Sequence, residues 1–330
     1  MVVKMKVDLK QAVDFFKTND NFTLICHANP DGDTLGSGYG LCGVLHIMGK
    51  RARVICDDEV SPRFDFLPEA IDKSKVELIE GQNETAVTVD VADIELIGSL
   101  KDKYPEIDFC IDHHISNKYY AAKTLIDTNA AACAEVVWAL IKGLGVEVTP
   151  AISSAIYTGV STDTGCFTYS NTTVDSHLIA AELMVSGFNV AKINYLMFEM
   201  KTRERIKLET SALDGIEYFF DDRCAVITLT ADMLNGIDPE DASNISVLPK
   251  QIQGVEVGVV IKEKIKEKLP KIIGEKTWKI SIRTSENVNA QTICASLGGG
   301  GHIRAAGCSL KGSVDAVKHA VLNQIEKSLN

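Results

Sequence analysis

The chain has 330 residues, of which 45% are hydrophobic and 24% are charged, and its formal net charge is −11. This length predicts two domains, and the hydrophobic content is too high for a disordered chain. The acidic balance argues against tight binding of duplex DNA, and no apolar run approaches the ~20 residues that a membrane-spanning helix needs.

The first half of the chain alternates short apolar runs with helical patterns. The predicted strands are Phe22–Cys26, Ala52–Cys56, Ala86–Asp90, Ile107–Asp112 and Thr124–Asp127, and the predicted helices between them are Thr34–Met48, Ile94–Lys103 and Ala132–Leu144. The apolar runs are continuous, as in strands that are buried on both faces of a parallel sheet. We therefore predict a doubly wound, mostly parallel α/β domain, with its ligand site beyond the carboxyl ends of the strands.

From Pro150 the pattern becomes mainly helical, and β patterns return after Gly215. The predicted elements are the helices Thr172–Val185 and Val190–Leu213, the strands Ile216–Phe220, Ala225–Thr230, Val255–Ile261 and Lys279–Thr284, and the helices Asn289–Leu297 and Val314–Ser328. We predict a first domain at residues 1–190, a helical linker at 191–214 and a smaller α/β domain at 215–330. The Lys- and Glu-rich stretch Lys262–Lys276 is expected to be an exposed hairpin or loop, with a nucleic-acid-binding patch as the alternative.

The nine cysteines indicate a reducing compartment. Their number is odd, they contain no Cys-x-x-Cys pair, and most of them lie in apolar runs, so we expect free thiols and no structural zinc site. The chain starts without the cationic stretch and apolar segment of a secretory signal. We therefore expect a cytoplasmic protein.

Acidic and imidazole side chains follow the predicted strands and the helical segment after Pro150. In chain order they are His27, Asp31, Asp33, Asp90, Asp112, His113, His114 and Asp163. Two of these imidazoles with four of these carboxylates would suit a pair of divalent cations, and this mixture favours Mn²⁺, Fe²⁺, Co²⁺ or Zn²⁺ over Mg²⁺, which prefers all-oxygen ligands. Two such ions ~3.5–4 Å apart, bridged by one carboxylate, would clamp a phosphate and activate a water molecule.

A glycine run in the second domain has the composition of an anion-binding loop. Gly298–Gly301 is followed directly by His302 and Arg304, and Arg283 and Ser285 lie in the preceding segment. Glycines leave backbone amides open to close approach by an anion, and His or Arg adds charge-assisted hydrogen bonds to phosphate oxygens.

Taken in order, these residues resemble the signature of DHH-type phosphoesterases with a DHH-associated C-terminal domain. The resemblance spans nearly the whole chain, and the short two-domain layout is similar to the NrnA-type subgroup of nanoRNases. It implies a metal-dependent phosphoesterase with a catalytic domain at 1–190 and a substrate-binding domain at 215–330. Its expected activities are 3′ to 5′ degradation of short oligoribonucleotides and dephosphorylation of 3′-phosphoadenosine 5′-phosphate.

The resemblance also implies individual roles. His27, Asp31 and Asp90 would hold one ion, whereas Asp33, Asp90, His113 and Asp163 would hold the other. His114 would lie near the scissile phosphate, and Asp112 would orient a histidine. The nucleotide or terminal phosphate would be held by Arg283, Ser285, Gly300, Gly301, His302 and Arg304. The expected cofactor is two Mn²⁺ ions, with Mg²⁺, Co²⁺ or Fe²⁺ as alternatives.

Other functions stay open at this point. The nearest alternatives are hydrolysis of linear or cyclic dinucleotides and exonuclease action on single-stranded DNA, and a non-catalytic nucleotide-binding sensor is the alternative outside enzymes. The expected partners are short single-stranded RNA or nucleotides, with neither duplex DNA nor a membrane among them. The oligomeric state is open, with a homodimer as one possibility.

Overall fold

The computed structural model describes residues 4–80, 82–237, 242, 245–264 and 276–329. The chain divides into two compact units, Met1–Met200 and Lys201–Asn330. This division falls inside the segment 191–214, so the domain boundaries given above stay a prediction. No described helix combines the length and hydrophobicity that crossing a lipid bilayer requires.

The first unit is built on a six-stranded sheet. Its strands are β1 (Met5–Lys6), β2 (Phe22–Ile25), β3 (Ala52–Ile55), β4 (Thr85–Val89), β5 (Phe109–Asp112) and β6 (Lys123–Ile126). They lie in the order β1-β6-β5-β4-β2-β3, and all neighbouring pairs are parallel. The predicted α/β class is confirmed. The five predicted strands match within two residues at each end, whereas the short strand β1 was not predicted.

Both faces of this sheet are covered, which explains the continuous apolar runs. Leu24 and Ile111 belong to a core cluster with side chains of the helices, whereas their neighbours Ile25 and Cys110 belong to a separate cluster. Successive side chains of a strand point to opposite faces, so a strand with two buried faces has a mainly apolar run instead of an alternation of apolar and polar residues. The sheet therefore has the two-sided burial expected of a doubly wound domain.

The described helices of the first unit are α1 (Leu9–Thr18), α2 (Gly32–Ile47), α3 (Leu100–Lys103), α4 (Cys133–Leu144), α5 (Pro150–Asp163), α6 (Val174–Met184) and α7 (Val190–Asn194), and the last continues as a π-helical turn, Tyr195–Glu199. The predicted helix Ile94–Lys103 is a 3₁₀ turn followed by α3, because Gly98 between them has φ 63° and interrupts the helix.

Helices α2 and α5 pack closely because glycines of α2 face α5. A Cβ atom at Gly36 would lie 2.3 Å from the Ala155 carbonyl oxygen, and one at Gly40 would lie 2.4 Å from Ile156 Cδ1. Any larger residue would push the helices apart. This contact holds the start of α2 beside the carboxyl end of α5.

The second unit has its own six-stranded sheet and core. Its elements are α8 (Arg203–Asp214), β7 (Glu217–Phe219), β8 (Cys224–Leu229), a 3₁₀ segment (Ile245–Gln251), β9 (Val257–Glu263), β10 (Thr277–Thr284), α9 (Ala290–Ser296), β11 (Gly300–Gly301), β12 (Ala305–Lys311) and α10 (Val314–Leu329). The strand order is β11-β12-β10-β9-β8-β7, and only the β8–β9 pair is parallel. The predicted second α/β domain is confirmed as a mixed, mainly antiparallel one.

Two details differ from the predicted elements. The single helix predicted over Val190–Leu213 is α7 and α8 with a break, in which Met200 is extended and Thr202 caps α8. In the predicted loop Lys262–Lys276, the first two residues belong to β9, and residues 265–275 lie outside the described part of the chain.

Candidate metal centre

The turn between β2 and α2 carries three of the predicted ligands. Helix α2 begins at Gly32, two residues earlier than predicted, because Asp31 caps it. Asp31 Oδ1 accepts hydrogen bonds from the amides of Asp33 and Thr34 at 3.0 and 3.1 Å. His27 lies next to this cap, with Nε2 3.6 Å from Asp31 Oδ1. The cap therefore brings a carboxylate and an imidazole together at the carboxyl end of β2.

Asp33 is buried in the first turn of α2 and is held by the amino terminus of α4. Its Oδ2 accepts a hydrogen bond from the Cys133 amide at 2.6 Å, and its Oδ1 accepts one from the Ala134 amide at 2.9 Å. The amides of a helix amino terminus favour negative charge. The carboxylate of Asp33 is therefore fixed in place while it keeps lone pairs for a further partner.

Asp90 follows β4 and lies at the centre of the cluster. Its φ is 61°, in the left-handed region that Asp and Asn tolerate better than most residues. Its side chain is almost fully buried, yet Oδ1 has no hydrogen-bond partner among the residues that the structure describes. This atom lies 3.5 Å from His113 Nε2 and 3.5 Å from His114 Nδ1, and Oδ2 lies 3.8 Å from His27 Nε2.

The Asp112-His113-His114 run places its three side chains in different surroundings. Asp112 is fully buried, and its Oδ1 lies 2.8 Å from His114 Nδ1, so it orients His114. His113 points into the cluster, and its Nδ1 lies 3.1 Å from the Ala130 carbonyl oxygen. This contact leaves Nε2 as the ligating nitrogen of His113. Nε2 lies 3.6 Å from Oδ2 of Asp163, the last residue of α5.

The structure brings the six predicted metal ligands together. Among the described residues, three groups of side chains place ligand atoms within 4.8 Å of one another, namely His27, Asp31 and Asp90; Asp33, His113 and Asp163; and Asp90, His113 and His114. Asp90 belongs to two of these groups, as a bridging ligand would. The six residues come from four separate segments of the chain, so their proximity arises from the fold.

The electrostatics of the cluster favour a bound cation. Burial is the main reason that the pKa of Asp90 lies well above its ordinary range, and repulsion by neighbouring carboxylates adds to it. Burial and repulsion also raise the pKa of Asp163 to about 8 and shift the pKa of Asp33 upwards. Burial acts in the same direction on Asp31, but the hydrogen bond and charge of His27 outweigh it and lower the pKa. A cation would let all four carboxylates stay ionised at neutral pH.

The donor set also fits such a cation. The orphaned Asp90 Oδ1 is a buried polar atom that needs a partner, and two imidazole nitrogens, those of His113 and His114, each lie 3.5 Å from it. Imidazole and carboxylate donors together suit a first-row divalent metal. The cluster can therefore hold a metal, and the assignment of each ligand to a particular ion stays a prediction.

The predicted substrate residues lie in the second unit, around a tight hairpin. Gly300 and Gly301 form β11 and pair with β12. A Cβ atom at Gly301 would lie 2.6 Å from the Ala305 carbonyl oxygen, so glycine is needed for close packing of the hairpin itself. The side chain of His302, directly after β11, is exposed. The hairpin thus presents His302, while its role towards a phosphate stays a prediction.

Of the remaining three predicted substrate residues, the two arginines form hydrogen bonds within this unit. Arg304 donates from Nη1 to the carbonyl oxygens of Ser285 and Val288 at 2.7 and 3.0 Å. Arg283 lies on β10 and donates to the carbonyl oxygen of Ile282. Ser285 Oγ is buried and has no hydrogen-bond partner within the described part of the chain. Arg304 therefore ties the hairpin to the segment after β10.

Sequence reasoning missed the groups that support the ligands. Asn117 is buried and donates from Nδ2 to Asp112 Oδ2 at 2.6 Å, so Asp112 is held from both sides. The backbone amide of Asn117 also donates to the His114 carbonyl oxygen, a contact that the sequence does not show. The α4 amides that hold Asp33 have no side-chain signature at all.

The sequence also matches known proteins over both units. Residues 21–160 match the DHH family, N-terminal domain, and residues 225–329 match the DHHA1 domain. Over 305 residues the chain is 32% identical to the bifunctional oligoribonuclease and PAP phosphatase NrnA of Thermus thermophilus, which covers 92% of this chain and 88% of that relative. The chain belongs to the DHH family of phosphoesterases. It is a metal-dependent phosphoesterase, and the resemblance seen in its motifs is confirmed.

Solved structures agree with the DHH fold. An exopolyphosphatase-related protein from Bacteroides fragilis has a TM-score of 0.82 and 22% identity, over 96% of each chain. RecJ of Thermus thermophilus, solved in complex with Mn²⁺, has a TM-score of 0.53 and 14% identity, over 99% of this chain and 55% of the RecJ chain. At these identities the likeness extends to the fold alone.

Proposed function

We propose that this DHH phosphoesterase is a two-metal phosphohydrolase. It degrades short oligoribonucleotides from the 3′ end and removes the 3′-phosphate of 3′-phosphoadenosine 5′-phosphate. The observation that carries the proposal is the meeting of six carboxylate and imidazole side chains around the orphaned Asp90 Oδ1. The substrate class is supported by the 32% identical Thermus relative, which is named an oligoribonuclease and PAP phosphatase.

We propose Mn²⁺ as the metal at both positions. The mixed imidazole and carboxylate donors favour it over Mg²⁺. His27, Asp31 and Asp90 would hold one ion, and Asp33, Asp90, His113 and Asp163 would hold the other. When bound, a pair of divalent cations supplies Lewis-acid stabilisation of a phosphate and lowers the pKa of a bound water.

His114 has the contacts of a proton donor. Its Nδ1 bonds Asp112, so Nε2 is the nitrogen left for a substrate, and 43% of the side chain is exposed. The hydrogen bond with Asp112 raises the pKa of His114, although burial opposes it. The hydrogen bond to Asp112 therefore favours the protonated ring, and we propose that Nε2–H stabilises the scissile phosphate or protonates the leaving oxygen.

We propose that the second unit recognises the nucleotide or its terminal phosphate. His302 and the hairpin amides of Gly300 and Gly301 would contact phosphate oxygens. Arg283 and Ser285, which the sequence analysis also names, would add further contacts to the substrate. Arg304 would act by holding the hairpin, because its Nη1 already bonds two backbone carbonyls. Charge supports short substrates, since residues 1–190 contain 27 acidic and 15 basic residues and would repel a long polyanion.

We also propose that the enzyme acts in the cytoplasm. All nine cysteines are free thiols, and seven of them are buried. Free thiols in this number are typical of a reducing compartment.

A substrate panel tests the proposed function. The full chain with Mn²⁺ is given RNA of two to five nucleotides, long single-stranded RNA, single-stranded DNA, duplex DNA, linear and cyclic dinucleotides, and 3′-phosphoadenosine 5′-phosphate. We expect the short linear RNAs and 3′-phosphoadenosine 5′-phosphate to have the highest kcat/KM, and duplex DNA to be the poorest substrate. Faster hydrolysis of long DNA than of RNA dimers, or turnover of cyclic dinucleotides alone, would contradict the proposal.

Replacing His302 tests the recognition role of the hairpin. His302→Ala should raise KM about tenfold and change kcat little, because we propose that His302 serves substrate binding alone, and a charge-assisted hydrogen bond contributes ~1.5–3 kcal/mol to binding. The matched control is His319→Ala, an exposed histidine on α10 of the same unit. A fall in kcat at unchanged KM, or equal effects of the two substitutions, would exclude this role.

A further inference from the structure

One loop contacts two of the predicted metal ligands, Asp33 and His113, and is connected to a third, Asp163. This segment, Ala130–Ala134, precedes and begins α4, and we refer to it as the anchor loop. Its Ala130 carbonyl oxygen lies 3.1 Å from His113 Nδ1. Its Cys133 and Ala134 amides donate to the two oxygens of Asp33. The position of this loop therefore sets the positions of two side chains in the group Asp33, His113 and Asp163.

Asn171 connects the anchor loop to the third member of that group. Its Nδ2 donates to the Ala131 carbonyl oxygen and to the Asp163 carbonyl oxygen, each at 3.1 Å. The last carbonyls of a helix have no partner within the helix, and Asp163 is the last residue of α5. One amide group thus fixes the distance between the anchor loop and the helix end that carries Asp163.

The backbone after α5 adopts an unusual conformation that brings Asn171 back to the end of α5, beside the anchor loop. Gly165, Cys166 and Phe167 all have left-handed φ values, of 56°, 54° and 63°. Such residues cost of order 1–3 kcal/mol each unless they are glycine, and they persist where surrounding contacts require them. The amides of Thr168 and Tyr169 donate to the Thr164 carbonyl oxygen and close this reversal.

Glu135 holds the anchor loop from its other side. It is buried, and its Oε2 accepts a hydrogen bond from the Ala131 amide at 3.1 Å, while Oε1 accepts one from the Ser176 hydroxyl at 2.6 Å. Ser176 also forms the capping box of α6 with Thr173. Ala131 is therefore held through its amide by Glu135 and through its carbonyl by Asn171.

We propose that Asn171 and Glu135 are positioning residues that set the geometry of one metal position, the one formed by Asp33, His113 and Asp163. Neither touches the ligating atoms. They act through the anchor loop, which carries the supports of His113 and Asp33, and through the carbonyl group of Asp163. The position formed by His27, Asp31 and Asp90 does not depend on them. This inference rests on the proposed function, because it requires two metal positions.

The test measures Mn²⁺ binding directly, without turnover. The metal-free full chain is titrated with Mn²⁺, and the electron paramagnetic resonance signal of free Mn²⁺ reports how many ions bind and how tightly. Asn171→Ala should weaken one of the two binding events about 10- to 100-fold, which is the usual effect of removing an outer-shell partner, and leave the other unchanged. The control is Asn19→Ala, whose Nδ2 also donates to a backbone carbonyl, that of Phe15, at the end of α1.

Two single-site backgrounds identify which position is affected. Asp31→Asn is expected to leave mainly the Asp33, His113 and Asp163 position, and Asp163→Asn is expected to leave mainly the other. Adding Asn171→Ala should weaken Mn²⁺ binding in the first background and leave it unchanged in the second. Glu135→Gln changes one atom and keeps the shape of the side chain, so it should weaken Mn²⁺ binding less, and only in the Asp31→Asn background. This variant replaces Asn171→Ala in the test if Asn171→Ala fails to fold.

The outcomes separate this inference from the proposed function. If the wild-type chain binds two Mn²⁺ ions but Asn171→Ala and Glu135→Gln behave like Asn19→Ala, the positioning role is wrong and the proposed function stands. Equal weakening in both single-site backgrounds would also overturn it, since that result indicates a general loss of structure. A wild-type chain that binds no Mn²⁺ would overturn both.

Discussion

Asp90→Asn is expected to lower kcat about 1,000-fold or more and, in the metal-free protein, to raise the melting temperature. Asp90 belongs to two of the ligand groups, so both proposed metal positions lose a ligand. Metal ions supply several kcal/mol of transition-state stabilisation, and a loss of ~4 kcal/mol corresponds to about three tenfold steps in rate. Asparagine has the same shape and also tolerates a left-handed backbone, so the fold should be kept.

The gain in stability has a separate electrostatic cause. In the folded metal-free chain, burial and the neighbouring carboxylates raise the pKa of Asp90, so ionising this group disfavours the folded state. That destabilisation is absent at low pH and grows as the pH rises above the ordinary pKa of an aspartate. The melting temperature of Asp90→Asn should therefore exceed that of wild type by more at pH 7 than at pH 4, by ~2–4 °C for each kcal/mol of repulsion removed.

Asp127→Asn is the matched control for both measurements. Asp127 follows β6 at the same edge of the sheet, but it is exposed and accepts a hydrogen bond from the Asn129 amide. It should change neither kcat nor the pH dependence of melting. Wild-type kcat in Asp90→Asn would contradict the bridging role of Asp90, whatever the melting temperature.

Removal of divalent cations is the second change with a large expected effect. Dialysis against EDTA should abolish hydrolysis of RNA dimers, and Mn²⁺ should restore it, because the ions supply the Lewis acid and the activated water. Mn²⁺ should also raise the melting temperature, since a ligand at 100 times its Kd stabilises the folded state by about 2.7 kcal/mol for each site. Ca²⁺, which prefers all-oxygen sites, should restore far less activity. Full activity after exhaustive chelation would contradict a metal-dependent mechanism.

The architecture of the metal centre follows from features that a sequence displays. Buried parallel strands such as Phe109–Asp112 are mainly apolar runs, so the sequence shows where each strand ends. The candidate ligands lie at or just after these strand ends. Since the carboxyl ends of parallel strands share one edge, His27, Asp90 and His113 could be expected to meet there. Asp163 was a candidate because a helical pattern breaks there, but the strand pattern could not place it, because it ends α5 and its position depends on the packing of α5 against α2.

Other features could not be predicted, because they depend on backbone groups or on competition between elements. The hydrogen bond from the Cys133 amide to Asp33 joins residues a hundred positions apart and leaves no mark on composition. Asn171 donates hydrogen bonds to two backbone carbonyl oxygens. Every residue has such an oxygen, so the sequence does not indicate which ones Asn171 contacts. The helix predicted across Val190–Leu213 ends early because Met200 is extended and Thr202 starts a new cap.

The most direct measurement is an anomalous diffraction map, recorded at the manganese absorption edge, from crystals of the full chain soaked in Mn²⁺. The two-metal account predicts two peaks inside the cluster, one contacted by His27 and Asp31 and the other by His113 and Asp163, with Asp90 contacting both. A single peak there, or none, would contradict it.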